Sequence, residues 1–168
     1  MLAYLPNEVL PWQLVKSGTT LEGEILFANM PRVIEEVLNK TGSVWANLKF
    51  GYDNKGIPII QGNIKANIYF TCQRCLQPMN TGISSKIALC LVYKDTDIDQ
   101  YNKLPYEFIV LSTLDNLSLW DLIEDELLLS FPIAPKHVQE SNCLSGESPS
   151  ISNLNNKQNS FSVLNKLK

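Results

Sequence analysis

Residues 62–93 read GNIKANIYFTCQRCLQPMNTGISSKIALCLVY, and the fold follows from how the apolar side chains alternate within them. Ile64, Ala66, Ile68 and Phe70 alternate with Lys65, Asn67, Tyr69 and Thr71. Ile83, Ser85, Ile87, Leu89, Leu91 and Tyr93 alternate with Ser84, Lys86, Ala88, Cys90 and Val92. A period of two is that of a strand with one buried face. The residues between the two runs include Cys72, Cys75, Pro78, Asn80 and Gly82, so the runs are expected to form an antiparallel pair joined at the CQRC turn. The apolar face of such a sheet needs cover.

Upstream the same period recurs. Leu21, Gly23, Ile25 and Phe27 form one run, and Val44, Ala46, Leu48 and Phe50 another, with Asp53, Asn54, Lys55 and Gly56 as its reversal. Residues 57–60 restart extended chain, where Pro58 implies an edge or a strand start. Residues 6–14 read as a turn-rich opening whose Leu5, Leu10, Trp12 and Leu14 pack on the body. Asn29 is a candidate cap for a short helix with Pro31 at its second position and Val33, Ile34, Val37 and Leu38 as its apolar stripe.

Downstream, residues 106–111 suggest a short strand, and Ser118 followed by Asp121 opens the best helix, expected to run to about Ser130 and stop at Pro132. Leu119, Leu122, Ile123 and Leu127, widened by Leu128 or Leu129, form the stripe that would lie on the sheet. Asp121, Glu124 and Asp125 sit near the helix N-terminus, where negative charge is favourable without any catalytic role. The expected class is α+β, an antiparallel or barrel-like β-sheet covered by a C-terminal amphipathic helix, with a short additional helix.

The chain has 168 residues, 45% hydrophobic and 18% charged, enough for one domain with a real core. Residues 1–140 are expected to form it. They hold 11 of the 14 basic and 16 of the 17 acidic residues, a balance of −5, so the overall field will not draw nucleic acid. In residues 141–168, 13 of 28 are Ser or Asn, and a flexible tail is expected. Its Phe161, Val163, Leu164 and Leu167 are either a docking segment that folds on a partner or, more simply, a frayed end. Asp95, Asp97 and Asp99 lack the glycine and glutamate of a calcium loop and read as a solvated loop. The N-terminus lacks a basic start and a continuous apolar run, and no window reaches 18 apolar residues, so a cytoplasmic location is expected, with neither a membrane nor DNA as partner.

Cys72 and Cys75 have the spacing of one zinc knuckle, which is half of a tetrahedral site. His137, the lone histidine, and Cys143 are the candidates for the other half. From spacing alone the plainer account is preferred, a tight turn with partly buried thiols. A thioredoxin-like role fits less well, because Pro78, Asn80 and Gly82 interrupt the helix that role requires. Cys90 falls in a strand pattern and reads as packing. Arg74, one of two arginines with Arg32, could clamp phosphate or carboxylate from the turn, or pair with the protein's own acidic surface. The chain carries no P-loop, dinucleotide fingerprint or HExxH helix, and an enzyme is not expected.

The arrangement resembles the YceD family, the large ribosomal RNA subunit accumulation proteins, over about residues 15–145. The resemblance runs through residues 18–25, Met30, Pro31 and Arg32. It is sharpest at Gly62, Cys72, Gln73, Arg74, Cys75 and Leu76. It resumes from Leu119 through Glu124, Asp125, Glu126, Leu127 and Leu128 to Phe131, Pro132, Pro135, His137 and Cys143. CQRC alone would be a weak signal; its order with the acidic helix and the Pro–His–Cys segment is more specific.

The resemblance implies a ribosome-biogenesis factor supporting synthesis, processing or stability of large-subunit (23S) ribosomal RNA. Its partner would be an assembly factor, a ribosomal protein or a preribosomal particle. Gln73, Arg74 and Arg32 are candidates for RNA or partner contact. Direct RNA binding, or a metal-assisted enzyme of RNA maturation, are the alternatives. Some relatives carry more cysteines after the helix, which favours a structural zinc; this chain has only Cys143 there.

Overall fold

Strand β4, Pro58–Thr71, is the spine of the molecule. It pairs antiparallel with β3 (Ser43–Tyr52) on one side and β5 (Pro78–Val92) on the other, in unbroken register from Tyr52 opposite Pro58 to Thr71 opposite Pro78. The computed structural model describes residues 4–93, 105–138 and 143. Asp95, Asp97 and Asp99, and the Ser- and Asn-rich segment apart from Cys143, lie outside the described residues.

Two stretches read separately, 57–60 and 64–71, thus join from Pro58 onward in one strand. Gly62 lets it continue. A Cβ there would sit 2.1 Å from the Asn47 carbonyl oxygen, a separation only glycine avoids. Pro58 stands at the first position of a central strand, where its missing N–H is tolerated.

Strand β1 (Glu8–Val9) precedes helix α1 (Pro11–Ser17) and strand β2 (Thr20–Leu26). The five-stranded sheet has the open order β2-β3-β4-β5-β6, antiparallel except that β6 (Glu107–Val110) lies parallel to β5. A separate ribbon pairs β1 with β7 (Leu117–Ser118) and ties the N-terminal segment to the start of helix α3 (Leu119–Leu129). Ser118 caps α3, its hydroxyl accepting the Asp121 N–H at 3.2 Å.

The inner face of the sheet carries Val44, Ala46, Leu48, Phe50, Ile60, Ile64 and Ile68, all buried. Leu119, Ile123 and Leu127 of α3 are fully buried in the same core, about 1.5–3 kcal/mol of burial each. Leu122 is only half-buried and Leu129 is 80% exposed, so the stripe is narrower than its sequence suggests. The cover is also shared. Helix α1 packs on β3 and β4, in a segment read as turns, and α2 (Pro31–Glu36) packs on α3. Its N-cap is Met30 rather than Asn29, which closes a preceding 3-10 turn.

A second, smaller core lies on the outer face at one end of the sheet, where Ile57, Ile59, Cys90 and Val92 pack with Tyr106 and Phe108. Cys90 is a packing residue, and burial pushes its thiol up, with the Asp53 charge adding to the shift. The rest of the outer face of β3–β5 is mostly polar, with Trp45 and Ala88 among its half-buried residues.

Candidate metal centre

The β4–β5 hairpin turns in six residues, CQRCLQ. The Cys72 N–H donates to the Gln77 carbonyl at 2.9 Å and the Leu76 N–H to the Cys72 carbonyl at 2.9 Å. Leu76 adopts φ 58°, a left-handed conformation uncommon for a non-glycine residue. The turn holds both cysteine side chains toward one point.

Helix α3 delivers the opposing residues. Past Ser130 the chain runs back over the hairpin. Phe131 meets Phe70 edge-on with ring centres 5.0 Å apart, and the Gln73 N–H donates to the Pro135 carbonyl at 2.8 Å. Two residues later His137 points its Nδ1 at the sulfurs of Cys75 and Cys143, 3.5 Å from each. The Cys72 and Cys143 sulfurs are 3.9 Å apart, far beyond a disulfide bond.

All four candidate ligand atoms lie within 4.8 Å of one another, with Cys72 and Cys143 buried and Cys75 and His137 half-buried. Bonds of about 2.3 Å to sulfur and about 2.0 Å to nitrogen in a tetrahedron would space sulfurs roughly 3.8 Å apart and sulfur from nitrogen roughly 3.5 Å. The Cys72–Cys143, Cys75–His137 and Cys143–His137 separations match, and a Cys3His donor set is one that suits zinc. This group could hold a metal ion.

The electrostatics are those of thiols gathered in a confined space. Burial pushes Cys72 up, but N–H groups of Cys75, Arg74 and His137 together outweigh it and leave the thiol at about 5. One of these contacts is direct, from the Arg74 N–H to the sulfur at 3.5 Å. Burial pushes Cys143 up to about 11, with the Cys75 and Cys72 sulfurs adding to it. A bound cation would remove that mutual repulsion by favouring thiolates throughout.

Cys143, which the sequence places beyond the boundary at residue 140, is 7% exposed inside this cluster. Gln73, Arg74 and Leu76 stand exposed on the turn itself. Arg32 lies elsewhere, held by α3. Its guanidinium bridges Glu124 at 3.0 Å and also binds Asp125. Glu124 is 2% exposed and takes backbone N–H groups of Arg32 and Val33 at 2.8 and 3.1 Å, so it caps α2 from another helix. From sequence Glu124 is a favourable charge near a helix N-terminus; its partners are 92 and 91 positions away, and no local pattern announces them.

Residues 60–168 match the model of a family described as large ribosomal RNA subunit accumulation protein YceD. A Haemophilus influenzae protein named large ribosomal RNA subunit accumulation protein YceD is 28% identical over 170 residues, covering 98% of this chain and 96% of its own length. No solved structure matches the chain.

Proposed function

The chain belongs to the YceD family, and on that premise we propose that it supports accumulation of large-subunit (23S) ribosomal RNA by binding, without catalysing a reaction. Its partner is a ribosome assembly factor, a ribosomal protein or a preribosomal particle in the cytoplasm. The observation that carries this reading is the surface built around the cysteine turn. Leu76, Ile133 and Val138 are 70%, 105% and 99% exposed on the turn and the return segment. Beside them Leu38, Phe131, Pro132, Ile133 and Pro135 line an open groove of about 400 Å³. Exposed apolar side chains grouped in this way mark interaction surfaces. Glu35 and Glu36 also line the groove, which favours a partner with basic residues beside an apolar anchor.

The role of Cys72, Cys75, His137 and Cys143 is then structural. They would hold zinc, whose chemistry here is to cross-link thiolates and imidazole. Such a link fixes the return segment to the hairpin, so that Leu76, Ile133 and Val138 face a partner as one rigid unit. Gln73 and Arg74, exposed on the same turn, add polar contacts at its edge.

Crosslinking in cells, followed by capture of the full chain, tests this reading. Large-subunit ribosomal proteins, assembly factors or precursor RNA should be enriched over a control capture, and enrichment should fall several-fold for a Leu76→Asp, Ile133→Asp variant. Recovery of none of these classes would rule out the reading.

A further inference from the structure

The outer face of the sheet differs in charge from the rest of the molecule. The strands β3, β4 and β5 contain no aspartate or glutamate, although the chain has 17. Their outward positions instead carry Lys49, Lys65 and Lys86. Among the described residues none of these three lysines forms a salt bridge. Between them lie amides at Gln61, Asn63 and Asn67, and the aromatic side chains of Trp45 and Tyr69.

Register places these groups in rows across the sheet. Glu24, Trp45, Lys65 and Ser84 are consecutive partners, as are Glu22, Asn47, Asn63 and Lys86. The first row crosses an open groove of about 490 Å³ whose lining also includes Ser43 and Asn67. The Lys65 ammonium sits 5.5 Å from the centre of the Trp45 ring. Carboxylates stand at the margins of this face: Glu22 accepts from Asn47 at 2.9 Å and Glu24 from Ser43 at 3.2 Å at the β2 edge, Asp53 lines a groove with Lys49, and Glu107 and Glu126 line one with Lys86. Within β3 to β5 the charged side chains are therefore all lysines, and the carboxylates border them.

We infer that this face of β3–β5 is a seat for single-stranded RNA. The lysines supply phosphate contacts, the aromatic rings supply surfaces on which unpaired bases stack, and the amides offer both donors and acceptors to base edges. A duplex hides its base faces and cannot use the rings. The bordering carboxylates confine the phosphate backbone to the middle of the face, along Lys65. A protein partner is disfavoured here, because the exposed face lacks an apolar centre. The inference rests on the proposed role with large-subunit precursors and locates the RNA contact on a surface distinct from the cysteine turn.

Binding of the full chain to a labelled oligouridylate of about 16 nucleotides tests it. With three phosphates engaged, log affinity should fall against log salt with a slope of about −2. A combined Lys49→Gln, Lys65→Gln, Lys86→Gln variant, altered only at outward positions, should bind at least about tenfold more weakly and lose most of that slope. Tyr69→Ala should weaken binding by about tenfold through lost stacking. Unchanged circular dichroism of both variants would exclude misfolding as the cause.

Equal binding by the triple variant and wild type, no binding by wild type, or equal affinity for duplex RNA would each overturn the inference. Cosedimentation with large-subunit precursors separates that failure from failure of the proposed function. A wild-type chain that cosediments but does not bind oligouridylate leaves the function standing and this surface unassigned to RNA. A wild-type chain that does not cosediment removes the function itself.

Discussion

The sulfurs of Cys72 and Cys143 lie 3.9 Å apart although 71 positions of sequence separate them. One belongs to the turn between β4 and β5 and the other to the chain beyond α3. With His137 and Cys75 they close a loop that includes β5, β6 and α3. Held by a metal, that closure fixes where the exposed turn sits relative to the return segment.

Purified full-length protein, prepared under reducing conditions, should carry about one zinc per chain by elemental analysis. Cys72→Ser should lose the zinc and lower Tm by roughly 5–10 °C. The boundary of the tail can be tested in the same way. Deleting residues 145–168 should leave metal content unchanged, whereas deleting 141–168 removes Cys143 and should abolish it. Zinc retained by the longer deletion would show that Cys143 is dispensable.

Glu124→Ala should destabilise the protein by about 2–3 kcal/mol in urea denaturation. It removes a buried acceptor from two α2 amides and the main partner of Arg32. Asp125→Ala, at an exposed carboxylate on the same guanidinium, should cost under about 0.5 kcal/mol. Equal losses from the two would contradict the assignment of Glu124 as the cap.

Much of this fold is legible in the sequence because each strand buries one side. Val44 to Phe50 and Ile64 to Phe70 alternate without error, and Ser118 announces α3. What is hidden depends on distant partners. The parallel placement of β6 against β5 is one that no periodicity records. Helix α1 has seven residues and a leucine at its N-cap with no side-chain bond, so the capping signal is absent. Its readable marks are Pro11 at the first position and Gly18 at φ 65° closing it, the usual proline-in, glycine-out asymmetry. The metal candidates were legible as residue types, but spacing alone favoured a plain turn with buried thiols. Only the return of the chain over the hairpin brings His137 and Cys143 to the cysteine pair.

Gly62→Ala should cost more than about 2 kcal/mol, because the new methyl would lie 2.1 Å from the Asn47 carbonyl and 2.8 Å from the Leu48 side chain. Gly51→Ala, in the neighbouring strand with nothing within 4 Å, should stay within about 0.5 kcal/mol. Matching urea midpoints for the two variants would show that β3 leaves room for a methyl group at position 62.

Ile123→Ala should cost about 2–4 kcal/mol by opening a cavity beneath α3, while Leu129→Ala should be near neutral at its exposed position. A neutral Ile123→Ala would mean that α3 does not seal the sheet.

If a surface, rather than a reaction, sustains large-subunit RNA, its loss should show in cellular ribosomal RNA. Cells lacking the chain, complemented with wild type or with the Leu76→Asp, Ile133→Asp variant, allow the ratio of large- to small-subunit ribosomal RNA to be measured directly. The variant, folded and with its zinc content unchanged, should leave the ratio near that of cells without the chain. Full restoration of the ratio by that variant would contradict a role for the surface.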